Sequence, residues 1–170
     1  ALFHEAGIPN DLFRSIRIPV SEVEGLIQDP RIAAVSLTGS TRAGKAVASQ
    51  AGAALKPCVV ELGGNDPYLI LKDADLEKAA EACVTSRLIN SGQSCIAAKR
   101  FIVEAPVYDE FIHIVEKKLE GKMVGDPLLE GTHVGPLARK DLRDELHKQV
   151  SKSIDMGAMC LLGGKVNKEK

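Results

Sequence analysis

The sequence lacks the features that mark several large classes of protein. Tryptophan is absent and aromatic residues make up 4% of the 170 residues, which leaves little material for base-stacking surfaces. Lys and Arg number 22 and Asp and Glu number 23, so the net charge of -1 gives no attraction to nucleic acid or to anionic membranes. No apolar run reaches the length of a membrane-spanning helix. We therefore expect neither nucleic acid nor a membrane as a partner.

Patterns typical of metal or dithiol chemistry are also missing. The four cysteines form no C-x-x-C pair, and the four histidines form no H-E-x-x-H cluster. We therefore predict no metal site. Free thiols fit a reducing compartment, so we predict a cytoplasmic protein, with an organellar protein whose targeting segment is missing as the alternative. Cys58, Cys83 and Cys160 lie in predicted strands or helices and are interpreted as small core residues.

What the sequence does contain is an alternation of helical and extended segments, which predicts an α/β fold with a largely parallel sheet. Hydrophobic residues make up 45% of the chain, enough for a buried core. Ser21, with Glu24, predicts a capping box at the start of a helix. The pattern restarts after Gly63 and Gly64, so we place a domain boundary between residues 1–62 and 63–170. Strands are predicted at residues 32–37, 57–62, 68–71, 99–104 and 159–162, and helices at 1–6, 21–29, 42–54, from 73 or 75 to about 90, 107–121 and 139–156.

A strand–turn–helix joint at residues 39–45 (GSTRAGK) is the first candidate site. Gly39 and Ser40 precede the predicted helix, and this geometry would leave unpaired backbone N–H groups and the positive end of the helix dipole facing the turn, where a phosphate could bind. The spacing also matches the P-loop pattern, but Ala46 stands where that pattern needs Ser or Thr to hold Mg²⁺. A dinucleotide is therefore favoured over a nucleoside triphosphate, with an ordinary structural joint as the remaining alternative.

Glu61 is the second candidate, because it is an acid at the end of an apolar strand. Burial of a carboxylate is costly unless the group is paired or functional, and partial burial would make it a usable general base. The alternative is a carboxylate exposed at the edge of the sheet.

Cys95 is the third candidate, in the segment 90–95 (NSGQSC). A cysteine in a glycine-containing loop beside a helix end can be exposed and activated to the thiolate by nearby backbone amides. The alternative is that Cys95 is a small core residue like the other three thiols.

The order and spacing of these motifs resemble the aldehyde dehydrogenase superfamily. Cys95 follows Glu61 by 34 positions, as the family pattern expects. The resemblance covers essentially the whole chain. The matching segments are 38–44 (TGSTRAG), 61–64 (ELGG) and 92–95 (GQSC), flanked by 6–9 (AGIP), 99–101 (KRF) and 134–137 (VGPL). Three further segments are most similar to the succinate-semialdehyde dehydrogenase branch, namely 65–68 (NDPY), 95–101 (CIAAKRF) and 141–146 (DLRDEL).

The resemblance implies a fold and a set of site residues. Residues 1–62 would be the C-terminal part of a Rossmann-like NAD(P)-binding domain, and residues 63–170 the N-terminal part of the α/β catalytic domain that carries the thiol. Cys95 would attack the aldehyde and form a thiohemiacetal and then a thioester, which Glu61 would hydrolyse through an activated water. The cofactor, NAD or NADP, would be contacted by Gly39, Ser40, Gly44, Leu62 and Gly63.

The resemblance also implies a longer parent protein. In the family, an Asn that completes the oxyanion hole and the segment that discriminates NAD from NADP come before these residues. A Glu that holds the nicotinamide ribose and the oligomerisation strands come after them. We therefore expect an internal piece of a homo-oligomeric enzyme that oxidises a small aldehyde. The alternative is a piece that is catalytically incompetent by itself.

Overall fold

The computed structural model describes residues 2–166, in which helices and parallel strands alternate. Ala1, the first residue of the predicted N-terminal helix, lies outside the described residues. Short 3₁₀ turns occur at Val20–Glu22, Ile89–Gly92 and Ala105–Val107. The helices and strands are α1 (Leu2–Glu5), α2 (Val23–Gln28), β1 (Val35–Thr38), α3 (Thr41–Ala53), β2 (Cys58–Glu61), β3 (Pro67–Ile70), α4 (Leu76–Leu88), β4 (Arg100–Val103), α5 (Tyr108–Glu120) and α6 (Lys140–Asp155).

The contacts of the chain divide it into two units, Ala1–Gly63 and Gly64–Lys170. Each unit contains a two-stranded parallel sheet, β1 with β2 in the first and β3 with β4 in the second. A helix connects the strands of each pair, as parallel pairing requires, because the chain must return before it can run in the same direction again. The expectation of an α/β fold with parallel strands is therefore confirmed.

The first unit has a small core. Ile27 of α2 and Ala51 of α3 are its buried apolar side chains. The ammonium group of Lys56 donates to the backbone oxygens of Ile27 and Asp29, at 2.5 and 2.6 Å, and so satisfies carbonyls at the end of α2. Hydrogen bonds from the Arg31 side chain and backbone hold the pKa of Asp29 well below its usual range. These contacts fix the path between α2 and β1.

The second unit is built around a cluster of Ile70, Ala80, Cys83 and Phe111, all of which are buried. They come from β3, α4 and α5, so one face of each helix covers one side of the sheet. The Phe111 ring meets the edge of Phe101 on β4, with ring centroids 6.3 Å apart. Burial raises the pKa of the Cys83 thiol, which keeps this cysteine protonated and inert.

The connection from α4 to β4 reaches the edge of the sheet where the strands begin. Since α4 returns along the sheet, the chain that follows it arrives next to the residues that precede β3. Arg100, the first residue of β4, donates from Nε to the backbone oxygen of Asn65 at 3.0 Å. Residues 89–99 therefore lie near the amino ends of β3 and β4.

Three sequence-based predictions are wrong. Residues 159–162 form no strand, because within residues 2–166 no strand pairs with them. Cys160 is consequently exposed rather than part of the core. Ser21 does not cap a helix: it lies inside a 3₁₀ turn, and Glu22 stands at the N-cap of α2 without a side-chain hydrogen bond.

No helix among the described residues is long and apolar enough to cross a bilayer.

Candidate active site

The joint between β1 and α3 is a capped helix N-terminus. Gly39 N donates to the backbone oxygen of Glu61 at 2.9 Å, which extends the pairing of β1 with β2 by one residue. The Ser40 side chain accepts from Ala43 N at 3.2 Å and caps α3. The strand–turn–helix geometry predicted for residues 39–45 is therefore present, at the carboxyl ends of two parallel strands. Such an edge, together with the positive end of a helix dipole, suits a phosphate group.

Gly44 is buried in the first turn of α3, facing Leu62. A Cβ at position 44 would lie 2.6 Å from Cδ2 of Leu62, closer than van der Waals contact allows. The absence of a side chain at Gly44 therefore lets Leu62 pack against α3 directly after β2. Gly44 was predicted to contact the cofactor. Within the first unit, the side chain that lies close to Gly44 is that of Leu62.

Glu61 is the last residue of β2 and lies opposite Thr38 in the register. Its side chain is exposed, and its carboxylate has no hydrogen bond or ion pair within the described part of the chain. Glu61 is therefore exposed within the first unit, and its role as a general base stays a prediction. Gly63, two residues further on, is also exposed, and a Cβ there would meet nothing within 4 Å.

Cys95 lies in a turn that follows an unusual backbone. Three successive residues have positive φ angles, 50° at Asn90, 57° at Ser91 and 78° at Gly92. Left-handed conformations are costly for residues with a side chain, so the run of three shows that tertiary contacts impose this path. These three residues follow the end of α4 at Leu88. Cys95, three residues after the last of them, is exposed, in contrast to the buried Cys83.

We call residues 92–98 the nucleophile turn, after the role that the resemblance predicts for Cys95, and side chains on both sides of the turn hold it in place. Arg87 donates to the backbone oxygens of Gly92 and Ala98, the latter at 2.7 Å. Lys99 donates to the backbone oxygens of Cys95 and Ala97, both at 3.0 Å, and more weakly to that of Ser94.

Two further hydrogen bonds tie this region to the long loop before α6. Gly135 N donates to the Ser91 hydroxyl at 3.0 Å. Ala138 N donates to the Gln93 side-chain oxygen at 2.8 Å. The residues around Cys95 are therefore anchored to a segment more than forty positions away in the sequence.

Gly64 lies against the nucleophile turn. A Cβ at this position would come within 2.6 Å of the backbone oxygen of Cys95, a clash with backbone that cannot be relieved by a side-chain rotation. Gly64 was placed from the sequence at the domain boundary and in the segment 61–64 (ELGG), but its contact with Cys95 was not predicted, although paired glycines are a signal of close approach.

Arg87 and Lys99 were missed for a different reason. Their partners are backbone oxygens, which leave no trace in the residue types of the turn.

Among the described residues, no group of three or more His, Cys, Asp or Glu side chains converges as a metal site would require.

The chain belongs to the aldehyde dehydrogenase family, whose model matches residues 1–170. It is 50% identical over 163 residues to the succinate semialdehyde dehydrogenase [NAD(P)+] Sad of Escherichia coli K12, a match that covers 96% of this chain and 35% of that protein. It is 47% identical over 159 residues to the succinate-semialdehyde dehydrogenase [NADP(+)] of Mycobacterium avium, covering 94% of this chain and 34% of the relative. The chain thus spans about a third of the length of these curated relatives.

Solved structures agree with this assignment. The structure of Gox0499, solved to explain cofactor and substrate selection, superposes with a TM-score of 0.95 at 41% identity, covering 99% of this chain and 37% of that one. The succinate-semialdehyde dehydrogenase of Burkholderia pseudomallei superposes with a TM-score of 0.92 at 30% identity, covering 98% of this chain and 35% of that one. The fold expected from the resemblance, a Rossmann-like portion followed by part of an α/β catalytic domain, is therefore confirmed.

Proposed function

We propose that these residues act in an NAD(P)+-dependent aldehyde dehydrogenase that oxidises succinate semialdehyde to succinate, with Cys95 as the nucleophile and Glu61 as the general base. The observation that carries the proposal is the exposed thiol of Cys95 on a turn whose backbone is fixed from both sides. A nucleophile must be reachable by substrate and held in one geometry. Cys83 is buried and Cys58 is half-buried, so these thiols are less accessible than that of Cys95. The names of the relatives support the substrate and the cofactor.

The proposed reaction begins with the Cys95 thiolate, which adds to the aldehyde carbon and sends the carbonyl electron pair to oxygen. The backbone N–H of Cys95 stabilises this oxyanion. NAD(P)+, which Gly39, Ser40, Gly44, Leu62 and Gly63 would hold, would supply the acceptor for the hydride that leaves the carbon as the carbonyl re-forms, and the product would stay on Cys95 as a thioester. Glu61 then removes a proton from water, and the resulting hydroxide attacks the thioester and expels the thiolate.

The first unit supports the cofactor part of the proposal. The N-terminus of α3, capped by Ser40 and preceded by Gly39, suits the pyrophosphate. Leu62 and Gly63 would border the nicotinamide. A nucleoside triphosphate is not proposed, because Ala46 has no oxygen for Mg²⁺. The exposed apolar residues of both units support a homo-oligomeric parent, and the four free thiols support a cytoplasmic one.

The experiment measures NADH and NADPH formation with succinate semialdehyde in two proteins. One is the 170-residue chain, and the other is the E. coli relative with its matching segment replaced by this chain. The hybrid should form reduced cofactor, and Cys95→Ser should abolish the reaction, a loss of roughly a thousandfold or more. Cys160→Ser, which removes another exposed thiol, is the matched control and should leave the rate unchanged.

Glu61→Gln separates the two halves of the mechanism. The hybrid carrying it should release one equivalent of reduced cofactor and then stall, with an acyl group on the Cys95 peptide detectable by mass spectrometry. Steady turnover by the Cys95→Ser hybrid would disprove the proposal. An active hybrid with an inactive chain would show that the 170 residues supply the chemistry but are incompetent by themselves.

A further inference from the structure

We propose that Arg87 and Lys99 are positioning residues, which orient the peptide groups around Cys95 by binding the carbonyl oxygens of the nucleophile turn. The inference rests on the proposed function insofar as Cys95 is the nucleophile. It assigns a role to two cations that have no carboxylate partner within residues 2–166.

Arg87 joins the two ends of the nucleophile turn. It is half-buried in the last turn of α4, and its guanidinium bridges the backbone oxygens of Gly92 and Ala98. Gly92 leaves the space that this guanidinium fills, since a Cβ there would lie 2.7 Å from Nη2 of Arg87. A planar guanidinium presents several donors in a fixed arrangement, so it can hold two carbonyls at once.

Lys99 holds the middle of the same turn. Its ammonium group donates to the backbone oxygens of Cys95 and Ala97 at 3.0 Å each, and to that of Ser94 at 3.4 Å. Hydrogen bonds from a charged donor are stronger than those between neutral groups. Arg87 and Lys99 together therefore engage five carbonyl oxygens within seven residues.

The geometry of the peptide bond turns this grip on carbonyls into an orientation of amides. In a trans peptide the C=O of one residue and the N–H of the next point in opposite directions. Lys99 draws the oxygens of Ser94 and Cys95 toward itself, so the N–H groups of Cys95 and Ile96 point away from it. Neither N–H has an acceptor within the described residues, nor does that of Ser94. Free amides on both sides of Cys95 can donate to an oxyanion that forms at this residue.

A purely structural role for the two cations predicts a different outcome, and three cysteines of the second unit separate the two roles. Cys95 reports on the turn, exposed Cys160 is the reference for intrinsic thiol reactivity, and buried Cys83 reports on unfolding of the unit. Alkylation of the 170-residue chain by iodoacetamide is followed at each cysteine by peptide mass spectrometry. The variants are Arg87→Met and Lys99→Met, with Lys99→Arg as the charge-conserving variant.

We expect Arg87→Met and Lys99→Met each to lower the ratio of Cys95 to Cys160 alkylation rates by about tenfold, because the free amides beside Cys95 are no longer held in one orientation. Lys99→Arg should retain most of the ratio, and Cys83 should stay protected throughout. Lys117→Met, at an exposed lysine of α5 with no hydrogen bond or ion pair in the described chain, is the control and should change nothing. Unchanged or higher ratios in both methionine variants would overturn the proposal. So would a fall that occurs only together with alkylation of Cys83.

Failure of this proposal is distinguishable from failure of the proposed function. If the hybrid enzyme turns over through Cys95 while both methionine variants keep their alkylation ratios, the positioning role is wrong and the function stands. If the ratios fall but the hybrid oxidises no aldehyde, the positioning role stands for the thiol and the proposed function is wrong.

Discussion

Three glycines, one in the first unit and two in the second, each allow a neighbouring group to approach the backbone closely. Gly44 admits Leu62 against α3, Gly64 admits the carbonyl of Cys95, and Gly92 leaves room for Arg87. The three positions differ in what an added methyl group would meet. At Gly64 the neighbour is backbone, whereas at Gly44 it is the end of a side chain that is only half-buried. Substitutions at these glycines should therefore affect stability and function to different degrees.

Gly44→Ala should change cofactor binding more than stability. Alanine gains about 1 kcal/mol of helix propensity over glycine, which offsets the displacement of the half-buried Leu62. If Leu62 borders the nicotinamide as proposed, the hybrid enzyme should show a several-fold higher KM for NAD(P)+ and a similar kcat. Initial rates at varied cofactor concentration measure this.

Gly52→Ala provides the control in the same helix, because a Cβ there meets nothing within 4 Å. It should stabilise the chain slightly and leave the KM unchanged. An equal rise of KM in both variants would show that Leu62 is not the cause.

Sequence reasoning reached the residues whose chemistry is visible in their type and spacing. Cys95, Glu61 and Ser40 each stand in a recognisable local pattern: a glycine-containing loop, the end of an apolar strand and the start of a helix. Their catalytic and binding roles remain predictions. Arg87 could not be found in this way, because its donors bind backbone oxygens that every residue type presents. Cys160 was assigned to the core since an apolar segment surrounds it, yet the described chain supplies no strand to cover that segment.

At the scale of elements, an ion-pair cluster joins the two helices that cover the second sheet. Lys118 of α5 lies 3.2 Å from Oε2 of Glu77 and 3.1 Å from Oε2 of Glu81, both on α4. Its hydrogen bond to Glu81 lowers the pKa of that carboxyl, and the two glutamates raise the pKa of Lys118. All three side chains are at least partly exposed, so the contribution to stability is small and depends on salt.

Lys118→Met should lower the stability of the chain only in the pH range between the titration of Glu81 and that of Lys118. Glu81 has a folded-state pKa below the unfolded value of about 4.3, so its contribution exists above that value and is lost as the pH falls. Lys118 has a folded-state pKa above about 10.4, so its contribution exists below that value and is lost as the pH rises. Urea midpoints of wild type and variant should therefore differ most near neutral pH, and they should converge below the folded-state pKa of Glu81 and above that of Lys118.

Lys117→Met removes a neighbouring charge on α5 that has no ion pair in the described chain, and serves as the control. Its midpoints should follow those of the wild type at each pH. A difference between Lys118→Met and wild type that is the same at all pH values would contradict the ion-pair explanation.

The helices were predicted best where a local sequence pattern, such as a polar residue at the start or an apolar face, marks them. The helix predicted at residues 42–54 is α3, Thr41–Ala53, since Ser40 caps it; the helix predicted at 107–121 is α5, Tyr108–Glu120, since its apolar residues share one face. The strand predicted at 159–162 had only its composition in its favour. A strand also needs a partner, and composition contains no information about pairing.

At the scale of the whole molecule, the two units differ in how much apolar material they bury. In the first unit, the buried apolar side chains are those of Ile27 and Ala51. The second unit buries more, namely Ile70, Ala80, Cys83, Val84, Ala97, Ala98 and Phe111. Since burial of apolar surface is the main stabilising contribution, the second unit should be the more stable of the two.

Urea should therefore unfold the first unit before the second. Pulsed alkylation reports on each unit through its own thiol, because Cys58 is half-buried in β2 and Cys83 is buried in α4. Full reactivity of Cys58 should appear at a lower urea concentration than that of Cys83. Phe111→Ala, which should cost about 3–5 kcal/mol, should lower the Cys83 midpoint. Exposure of Cys83 before Cys58 would contradict the ranking of the two cores.

The position of the nucleophile turn at the amino ends of β3 and β4 has a practical consequence for protein engineering. The loops that leave these strands, at residues 71–75 and 104–107, lie a strand length away, about 13 Å for four residues. A peptide tag or a fluorophore inserted there would be separated from the thiol by the full height of the sheet. The exits of β3 and β4 are accordingly the places to attach a label to this unit without disturbing the residues that surround Cys95.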